Sequence, residues 1–328
     1  MILNIERLRE ITRGTEEITD HDGTTSFFRF TPEQAQKYRF HRPPDFYLKT
    51  NATADVRIAF RTDSAHINFD YRFGFGSSRK FGWFDVLVDG VLTHHTGDDS
   101  ITHITGRADI TLPAGLKSVE IYFPWSKAAS ISSFELDDGS LVYPLERRYK
   151  MITYGDSITH GYDAQFPSLA YSSKLSRLLD ADNTNKAIAG DTFFPELLEP
   201  EETIVPDIVT TAYGTNDWNV HDYDTLSENC RKFYTTLSEK YPSARIFAIA
   251  PIWRADLDKE TKFGEPFETV AAIIRSVCAP LGNVTVVGGT RMTPHCTDFY
   301  SDGYLHPNDL GFTQYAENLC NEIRKYII

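Results

Sequence analysis

The apolar residues of this chain follow two different spacings, and the change near Pro144 constrains the fold more than any other feature. From about residue 26 to residue 143 they alternate with polar residues, as in the segment Val56–Phe60. Turn-forming residues such as the Asp89-Gly90 pair separate these runs, and no helical stripe of convincing length falls among them. Alternation broken by turns predicts antiparallel strands with one buried face. We therefore predict an all-β sandwich of jelly-roll type over residues 1–146.

Beyond Pro144, short apolar runs alternate with amphipathic helical stripes, and the last helix is predicted to open near Asn308. Buried strands that alternate with helices indicate a parallel sheet covered on both faces. The segment 145–149 is predicted to connect this second domain, residues 147–328, to the first. The predicted strands are Met151–Tyr154, Ile208–Tyr213, Arg245–Ala250 and Val284–Val287, and a further short strand is predicted to end at the segment 185–190.

Composition excludes several classes of protein. With 41% hydrophobic and 24% charged residues, the chain has the apolar content of a globular protein rather than a disordered one. No run approaches the roughly 20 apolar residues of a membrane helix. The charged start of the chain, Glu6 to Glu10, does not resemble a secretory signal, and the four cysteines form no C-x-x-C pair. We expect a cytoplasmic protein without a disulfide framework or zinc site.

The charge of the chain argues against anionic partners. Its formal net charge of −13 repels phosphate backbones and anionic lipids, so we expect neither nucleic acid nor membrane as a partner. His94, His95 and His103 lie close together in the sequence, but no carboxylate at ligand spacing accompanies them. We interpret them as histidines on a strand surface and expect no metal ion or other cofactor.

Four segments of the second domain carry residues suited to acyl chemistry, and each follows a predicted strand or precedes the last helix. Because the carboxyl ends of parallel strands meet at one edge of a sheet, these segments are expected to lie together. They are Tyr154-Gly-Asp-Ser-Ile-Thr-His-Gly161, Asn185-Lys-Ala-Ile-Ala-Gly190, Ala212-Tyr-Gly-Thr-Asn-Asp-Trp218 and Ser301-Asp-Gly-Tyr-Leu-His-Pro-Asn308.

In this order the four segments resemble the SGNH hydrolases, also called GDSL-type lipases and acylhydrolases, over about residues 148–328. The resemblance implies a three-layer α/β/α domain with a flavodoxin-like sheet. It implies that Ser157 is the nucleophile, that His306 is its general base and that Asp302 orients this base. It also implies an oxyanion hole made by Gly190 and Asn216 together with the N–H of Ser157.

This set of residue types fits hydrolysis of an ester through an acyl-enzyme. A serine hydroxyl is a weak nucleophile until an imidazole accepts its proton, and donors aimed at the developing oxyanion lower the barrier. The family usually places the acid three residues before the histidine, whereas Asp302 precedes His306 by four. Two alternatives stay open: Asp298 or a backbone carbonyl holds the imidazole, which would leave a dyad.

Three further residues of these segments, Trp218, Asp156 and His160, are interpreted separately. Trp218 and Asp156 are assigned to substrate binding, with ordinary packing of the large indole as the alternative for Trp218. His160 follows the serine on a helix that leads away from it, so we interpret His160 as structural rather than as the base.

A jelly roll ahead of such a domain resembles the two-domain carbohydrate esterases, which typically remove acetyl groups from sugars. We therefore predict a serine esterase that removes short acyl groups, above all acetyl, from the hydroxyls of a small-molecule or oligosaccharide substrate. The alternatives are a lysophospholipase or thioesterase, and a carbohydrate-binding protein without catalysis. The sandwich would either shape one wall of the site or form a contact between copies of the chain.

Overall fold

The protein is described by a computed structural model that covers residues 1–99 and 104–327. Up to Pro144 its strands are antiparallel. They are β1 (Thr12–Arg13), β2 (Glu17–His21), β3 (Thr24–Phe28), β4 (Arg57–Thr62), β5 (His66–Phe75), β6 (Gly82–Val88), β7 (Val91–Asp98), β8 (Thr105–Thr111), β9 (Lys117–Tyr122), β10 (Lys127–Leu136) and β11 (Tyr143–Pro144).

These strands form two antiparallel sheets that enclose an apolar core. One sheet has the order β1-β4-β9-β6-β7, with β11 also paired to β4, and the other has the order β2-β3-β10-β5-β8. The alternation expected from the sequence is confirmed along β5, where Ile67, Phe69 and Phe73 are buried and the residues between them are more exposed. Each strand therefore contributes one apolar face to the space between the sheets.

Helices interrupt this part of the chain, and here the sequence prediction was wrong. They are α1 (Ile5–Ile11), α2 (Pro32–His41) and α3 (Pro44–Lys49). The buried residues of α2 are Gln34 and Tyr38, so the helix has no apolar stripe of the kind that periodicity detects. A local signal was available, because Thr31 and Gln34 form a capping box with Pro32 in the first turn.

From Tyr149 onward, strands and helices alternate as predicted. The strands are β12 (Tyr149–Gly155), β13 (Ala181–Asn185), β14 (Ile208–Ala212), β15 (Arg245–Ile249) and β16 (Val284–Val287). The helices are α4 (Ser157–His160), α5 (Tyr171–Leu178), α6 (Thr215–Val220), α7 (Tyr223–Lys240), α8 (Glu268–Cys278) and α9 (Asp309–Ile323), with short 3-10 turns at Pro167–Leu169, Pro195–Leu198, Gly289–Arg291 and Thr297–Phe299.

The strands β12 to β16 form a parallel sheet in the order β13-β12-β14-β15-β16. Successive residues of one strand face opposite sides, so Met151 and Ile152 belong to different apolar clusters. The cluster on the side of Ile152 includes residues of α7 and α8, and the cluster on the side of Met151 includes residues of α5 and α9. The sheet is therefore covered on both faces, and its interior strand β12, between β13 and β14, leads to Ser157.

The antiparallel and parallel parts meet through buried polar side chains. Arg29 is fully buried and donates to the backbone of Asn185 and Ala187 across this boundary. Asp55 accepts hydrogen bonds from the amides of Asn183 and Asn185, at 2.8 and 3.0 Å. A buried charged group is costly unless hydrogen bonds or an opposite charge compensate it. These contacts would be lost if the two parts moved, so they fix one relative placement of the two parts.

Among the described residues, no helix combines the length and the apolar character that crossing a membrane requires.

Candidate active site

The serine of the first segment lies where strand β12 ends and a helix begins. β12 ends at Gly155, the Asp156 side chain accepts a hydrogen bond from the N–H of Ile158, and Ser157 is the first residue of α4. A Cβ atom at Gly155 would lie 2.3 Å from the hydroxyl oxygen of Thr159 and 3.0 Å from the carbonyl oxygen of Ala212. Only glycine fits this turn, which holds Ser157 at the end of the sheet.

Ser157, His306 and Asp302 form a continuous chain of hydrogen bonds. The Ser157 hydroxyl lies 2.8 Å from Nε2 of His306, and Nδ1 of the same ring lies 2.7 Å from Oδ2 of Asp302. Ser157 is 6% exposed, and the side chains of His306 and Asp302 are 13% and 20% exposed. If Asp302 fixes the proton on Nδ1, then Nε2 is free to accept the proton of the hydroxyl.

Asp302 also organises the loop that carries His306. Its Oδ1 accepts hydrogen bonds from the backbone N–H groups of Tyr304, Leu305 and His306, at 3.0, 2.8 and 3.1 Å. Burial opposes ionisation, but the bonds from the His306 ring and these N–H groups outweigh it and lower the pKa of Asp302 well below its usual range. The loop therefore accommodates the four-residue spacing, while Asp298 is exposed and contacts Asn308 through its backbone carbonyl.

A second carboxylate lies beside the same histidine, and the sequence analysis did not find it. Oδ2 of Asp163 lies 3.9 Å from Nδ1 of His306. Arg79, which precedes β6, forms two hydrogen bonds to the Asp163 carboxylate, at 2.6 and 3.3 Å. Nothing in the spacing of Arg79 or Asp163 marks them, because they are 84 residues apart and meet only in the folded chain.

Asp163, Asp302 and His306 are the residues of the described chain whose ligand atoms lie within 4.8 Å of one another, as a metal ion would require. Their charges already have partners within the protein. Asp163 is paired with Arg79, and Asp302 bonds to the imidazole and to backbone N–H groups. The arrangement is suited to holding an imidazole in one orientation.

The second and third segments meet beside the first. Gly190 has a φ of 90°, a conformation that favours glycine, and the N–H of Ile188 bonds to the carbonyl of Gly155 at 3.1 Å. The side-chain amide of Asn216 donates to the carbonyl of Asp191 at 2.9 Å. Gly190 and Asn216 are therefore coupled through Asp191, next to the strand end that carries Ser157.

Trp218, which was assigned to substrate binding, lies in the protein interior. Its indole is 2% exposed and its ring N–H donates to the carbonyl of Glu265 at 3.0 Å. Arg254 lies over the ring at 5.1 Å, and Phe267 packs against it edge-on at 5.0 Å. No ring face is open to a sugar, so the packing alternative holds.

Asp156, which was also assigned to substrate binding, is buried as well. Asp156 is 3% exposed and caps α4 through the N–H of Ile158 at 2.9 Å. Burial, together with the nearby carboxylates of Asp217 and Asp191, raises the pKa of Asp156 to about 7 against the opposing effects of the cap and of His306. Its carboxyl group is buried at the start of α4, where it bonds to the protein backbone next to Ser157.

This raised pKa predicts how stability depends on pH. An unfolded aspartate titrates near pH 4, so between about pH 4 and 7 the folded protein binds a proton that the unfolded chain releases. The stabilising contribution of this group is present below about pH 4 and is lost as the pH rises through 7. Asp156→Asn keeps the capping oxygen, so the variant is expected to gain stability relative to wild type, by roughly a few kcal/mol, between pH 5 and pH 8.

Urea unfolding of both proteins at pH 5 and pH 8 measures this difference. Asp191 also has a raised pKa, but it is present in both proteins and its contribution cancels in the comparison. Equal pH dependence in the two proteins would show that Asp156 is already ionised throughout this range.

His160 has a structural position, as the sequence analysis interpreted it. Burial and the positive charge of Arg29 hold the pKa of His160 well below its usual range, so the ring is neutral. Its Nδ1 accepts the N–H of Ala189 at 3.3 Å, which leaves Nε2 to donate to the carbonyl of Trp125 at 3.1 Å. Both ring nitrogens are occupied, and neither is available to Ser157.

Two of the three neighbouring histidines of the antiparallel part, His94 and His95, bond to different partners. His95 bonds to Asp85 at 2.7 Å and stacks on Phe166 at 3.6 Å between ring centres. His94 bonds to the hydroxyl of Thr93. His103 lies outside the described residues.

Residues 153–313 match the family described as GDSL-like lipase/acylhydrolase. The matched region contains Ser157, Gly190, Asn216 and His306, so this part of the chain is similar to the family of GDSL-like lipases and acylhydrolases. The resemblance to SGNH hydrolases that the four segments indicated is thereby confirmed. No curated protein sequence matches the chain.

Solved structures share the fold over both parts of the chain. A salicylyl-acyltransferase from a tetracycline biosynthetic pathway aligns with a TM-score of 0.81 at 23% identity, over 96% of this chain and 94% of its own. A GDSL-like lipase from Bacteroides ovatus aligns with a TM-score of 0.76 at 20% identity, over 97% and 96%. A family two carbohydrate esterase from Clostridium thermocellum, in complex with cellohexaose, aligns with a TM-score of 0.65 at 17% identity, over 84% and 93%.

Proposed function

We propose that this protein is a serine esterase that removes short acyl groups, above all acetyl, from the hydroxyls of sugars. The observation that carries the proposal is the hydrogen-bonded chain from the Ser157 hydroxyl through His306 to Asp302, at 2.8 and 2.7 Å. Such a chain converts a weakly nucleophilic hydroxyl into one that can transfer its proton as it attacks a carbonyl.

In the proposed mechanism the Ser157 oxygen attacks the ester carbonyl while Nε2 of His306 takes its proton. The resulting imidazolium faces the ionised Asp302, and it returns the proton to the leaving alcohol as the ester bond breaks. Water then attacks the acyl-serine with His306 again as the base, which releases the carboxylic acid and restores the hydroxyl. The N–H groups of Ser157 and Gly190 and the amide of Asn216 hold the oxyanion in both steps.

The surroundings of the reactive groups favour a polar alcohol as the leaving group. Arg79 bonds to Asp163 beside the histidine, and its side chain is 35% exposed; Tyr304 precedes His306 by two residues and is 41% exposed. Both side chains can hydrogen bond to hydroxyl groups. Structural similarity to a carbohydrate esterase that was solved with cellohexaose also supports a sugar. The alternatives within this family are lysophospholipase and thioesterase activities.

A chain-length series of 4-nitrophenyl esters, together with acetate release from acetylated sugars, tests this function. We expect turnover to fall steeply from acetyl to octanoyl, and we expect acetate from acetylated oligosaccharides. A preference for octanoyl would favour the lysophospholipase or thioesterase alternative. Binding of an oligosaccharide without cleavage of any ester would favour the non-catalytic alternative.

Acyl transfer is a second candidate, because the salicylyl-acyltransferase shares the fold over 96% of this chain. Transfer and hydrolysis use the same acyl-serine and differ in the nucleophile that attacks it. The ratio of transfer product to free acid, measured with increasing concentrations of an alcohol acceptor, separates them. Free acid as the main product at every acceptor concentration supports the esterase.

We further propose that the chain is organised as a jelly-roll domain, residues 1–146, and a three-layer flavodoxin-like catalytic domain, residues 147–328. The change from antiparallel to parallel pairing between Pro144 and Tyr149 supports this boundary. The strand order β13-β12-β14-β15-β16 is that of the flavodoxin-like sheets.

A further inference from the structure

The loop that carries Gly190, residues 189–193 and here called the Gly190 loop, is held by side chains from α2 and α3 and from the residue that follows α2. Tyr38 donates from its hydroxyl to Oδ2 of Asp191 at 2.8 Å. Arg42 donates to Oδ1 of Asp191 at 3.2 Å. Lys49 donates to the carbonyl of Ala189 at 3.0 Å. These donors precede the loop by about 140 to 150 residues in the chain.

Arg42 makes further contacts that fix the rest of the loop. Its guanidinium also donates to the hydroxyl of Thr192 and to the carbonyl of Phe193, at 3.2 and 3.3 Å, and it lies 4.1 Å from the ring centre of Phe194. A Cβ atom at Gly190 would lie 3.4 Å from the ring of Phe46 on α3, so the helix pair also covers the loop at that position.

The Gly190 loop in turn holds a second residue of the site. The carbonyl of Asp191 accepts the side-chain amide of Asn216 at 2.9 Å, and the N–H of Phe193 donates to Asp217 at 3.1 Å. The side chain of Asp191 is fully buried, so its place is set by Tyr38 and Arg42 rather than by water. A shift of Asp191 would therefore move the N–H of Gly190 and the amide of Asn216 together.

We infer that Tyr38 and Arg42 are positioning residues for the oxyanion hole and act through Asp191. The inference rests on the proposed function, because it assumes that Gly190 and Asn216 bind the oxyanion. Donors in such a hole act only at correct distances from the developing charge, and small displacements of catalytic groups are costly. The antiparallel part of the chain thus helps to position groups of the active site, in addition to packing against the parallel part.

The burial of Asp191 and the charges around it support the same role for Tyr38 and Arg42. Burial raises the pKa of Asp191 to about 6, while Arg42 and the Tyr38 hydroxyl oppose this effect and keep the group ionised near neutral pH. The other charged groups that face it are Asp217 from α6 and Asp156 from the start of α4. Without Arg42, a buried carboxylate facing these acids would take up a proton or move toward solvent.

The test uses Tyr38→Phe and Arg42→Met in the full chain, with 4-nitrophenyl acetate as substrate. We expect kcat to fall about tenfold for Tyr38→Phe and about a hundredfold for Arg42→Met, with KM changed less than threefold. Trifluoroacetone, a ketone that forms a hemiketal oxyanion with the serine, is expected to lose affinity in proportion to kcat/KM. A purely structural role would lower the melting temperature without changing either quantity per folded molecule.

Two matched controls accompany these variants. Arg39→Met removes an arginine of α2 that contacts the rings of Phe40 and Tyr47 instead of the loop. Tyr241→Phe removes a tyrosine hydroxyl that bonds to Glu202 instead of to the Gly190 loop. Both are expected to keep the wild-type kcat.

The outcomes separate this inference from the proposed function. If Ser157→Ala is inactive and both Tyr38→Phe and Arg42→Met keep the wild-type kcat and inhibitor affinity, the inference is wrong and the esterase stands. If Ser157→Ala retains activity, the proposed function itself is wrong. Should Arg42→Met fail to fold, Tyr38→Phe decides alone, since it removes one oxygen and no charge.

Discussion

Ser157→Ala is expected to lower the turnover of an acetyl ester at least a thousandfold, with substrate binding largely retained. The hydroxyl is the atom that forms the acyl-enzyme, and alanine leaves His306 without a proton to accept. Activity that remains would come from the oxyanion donors and from substrate positioning, which act on water as the nucleophile. Steady-state kinetics with 4-nitrophenyl acetate and acetate release from acetylated sugars measure the effect.

Two comparisons make this result specific. Ser176→Ala removes a buried serine of α5 whose hydroxyl donates to the carbonyl of Ser173, and it is expected to remain fully active. Groups that act as a unit are non-additive, so Ser157→Ala combined with His306→Ala should be no slower than Ser157→Ala alone. A loss of less than tenfold in Ser157→Ala would place the nucleophile elsewhere.

The parts of the fold that periodicity encodes were predictable. Strands β12, β14, β15 and β16 lie within two residues of the predicted bounds, and α9 begins after Asn308, whose side chain caps it. Amphipathic helices and strands with one buried face must repeat their apolar residues at 3.6 or at 2 positions, so the period records the local structure.

The helices α2 and α3 were not predictable from periodicity, because few of their residues are buried and the buried pair of α2, Gln34 and Tyr38, is not an apolar stripe. Tyr38, Arg42 and Lys49 each bond to the Gly190 loop, and no apolar repeat accompanies a helix that buries hydrogen-bonding groups. The burial of Trp218 could not be predicted for a related reason. An aromatic residue after a strand end looks the same in the sequence whether a second aromatic and an arginine cover it or leave it open.

The residues of the site also divide into those that the sequence pattern predicts and those that it does not. Ser157, Gly190, Asn216 and His306 follow strand ends or precede a helix, and parallel pairing brings such positions together. The spacing of Asp302 could not decide its role, because a loop can absorb one residue by bonding a carboxylate to several successive N–H groups. Arg79 and Asp163 meet across 84 residues without a pattern in either segment.

Asp302→Asn is expected to lower turnover by roughly a thousandfold to ten-thousandfold. The asparagine oxygen can still accept the N–H groups of Tyr304, Leu305 and His306, so the loop should keep its shape. Its amide would then face Nδ1 as a donor, which moves the ring proton to Nε2 opposite Ser157. A ring that donates to the hydroxyl cannot accept its proton, and no carboxylate at 2.7 Å remains to stabilise the imidazolium.

Two other acids near the histidine serve as controls for this prediction, and all variants are compared by kcat and by thermal unfolding. Asp298→Asn changes an exposed acid and should leave turnover unchanged. Asp163→Asn removes a carboxylate 3.9 Å from the ring and should cost much less than Asp302→Asn, because Asp163 is already paired with Arg79. If Asp302→Asn instead retains more than a tenth of the wild-type turnover, Ser157 and His306 work as a dyad, and the carboxylate of Asp302 serves the loop alone.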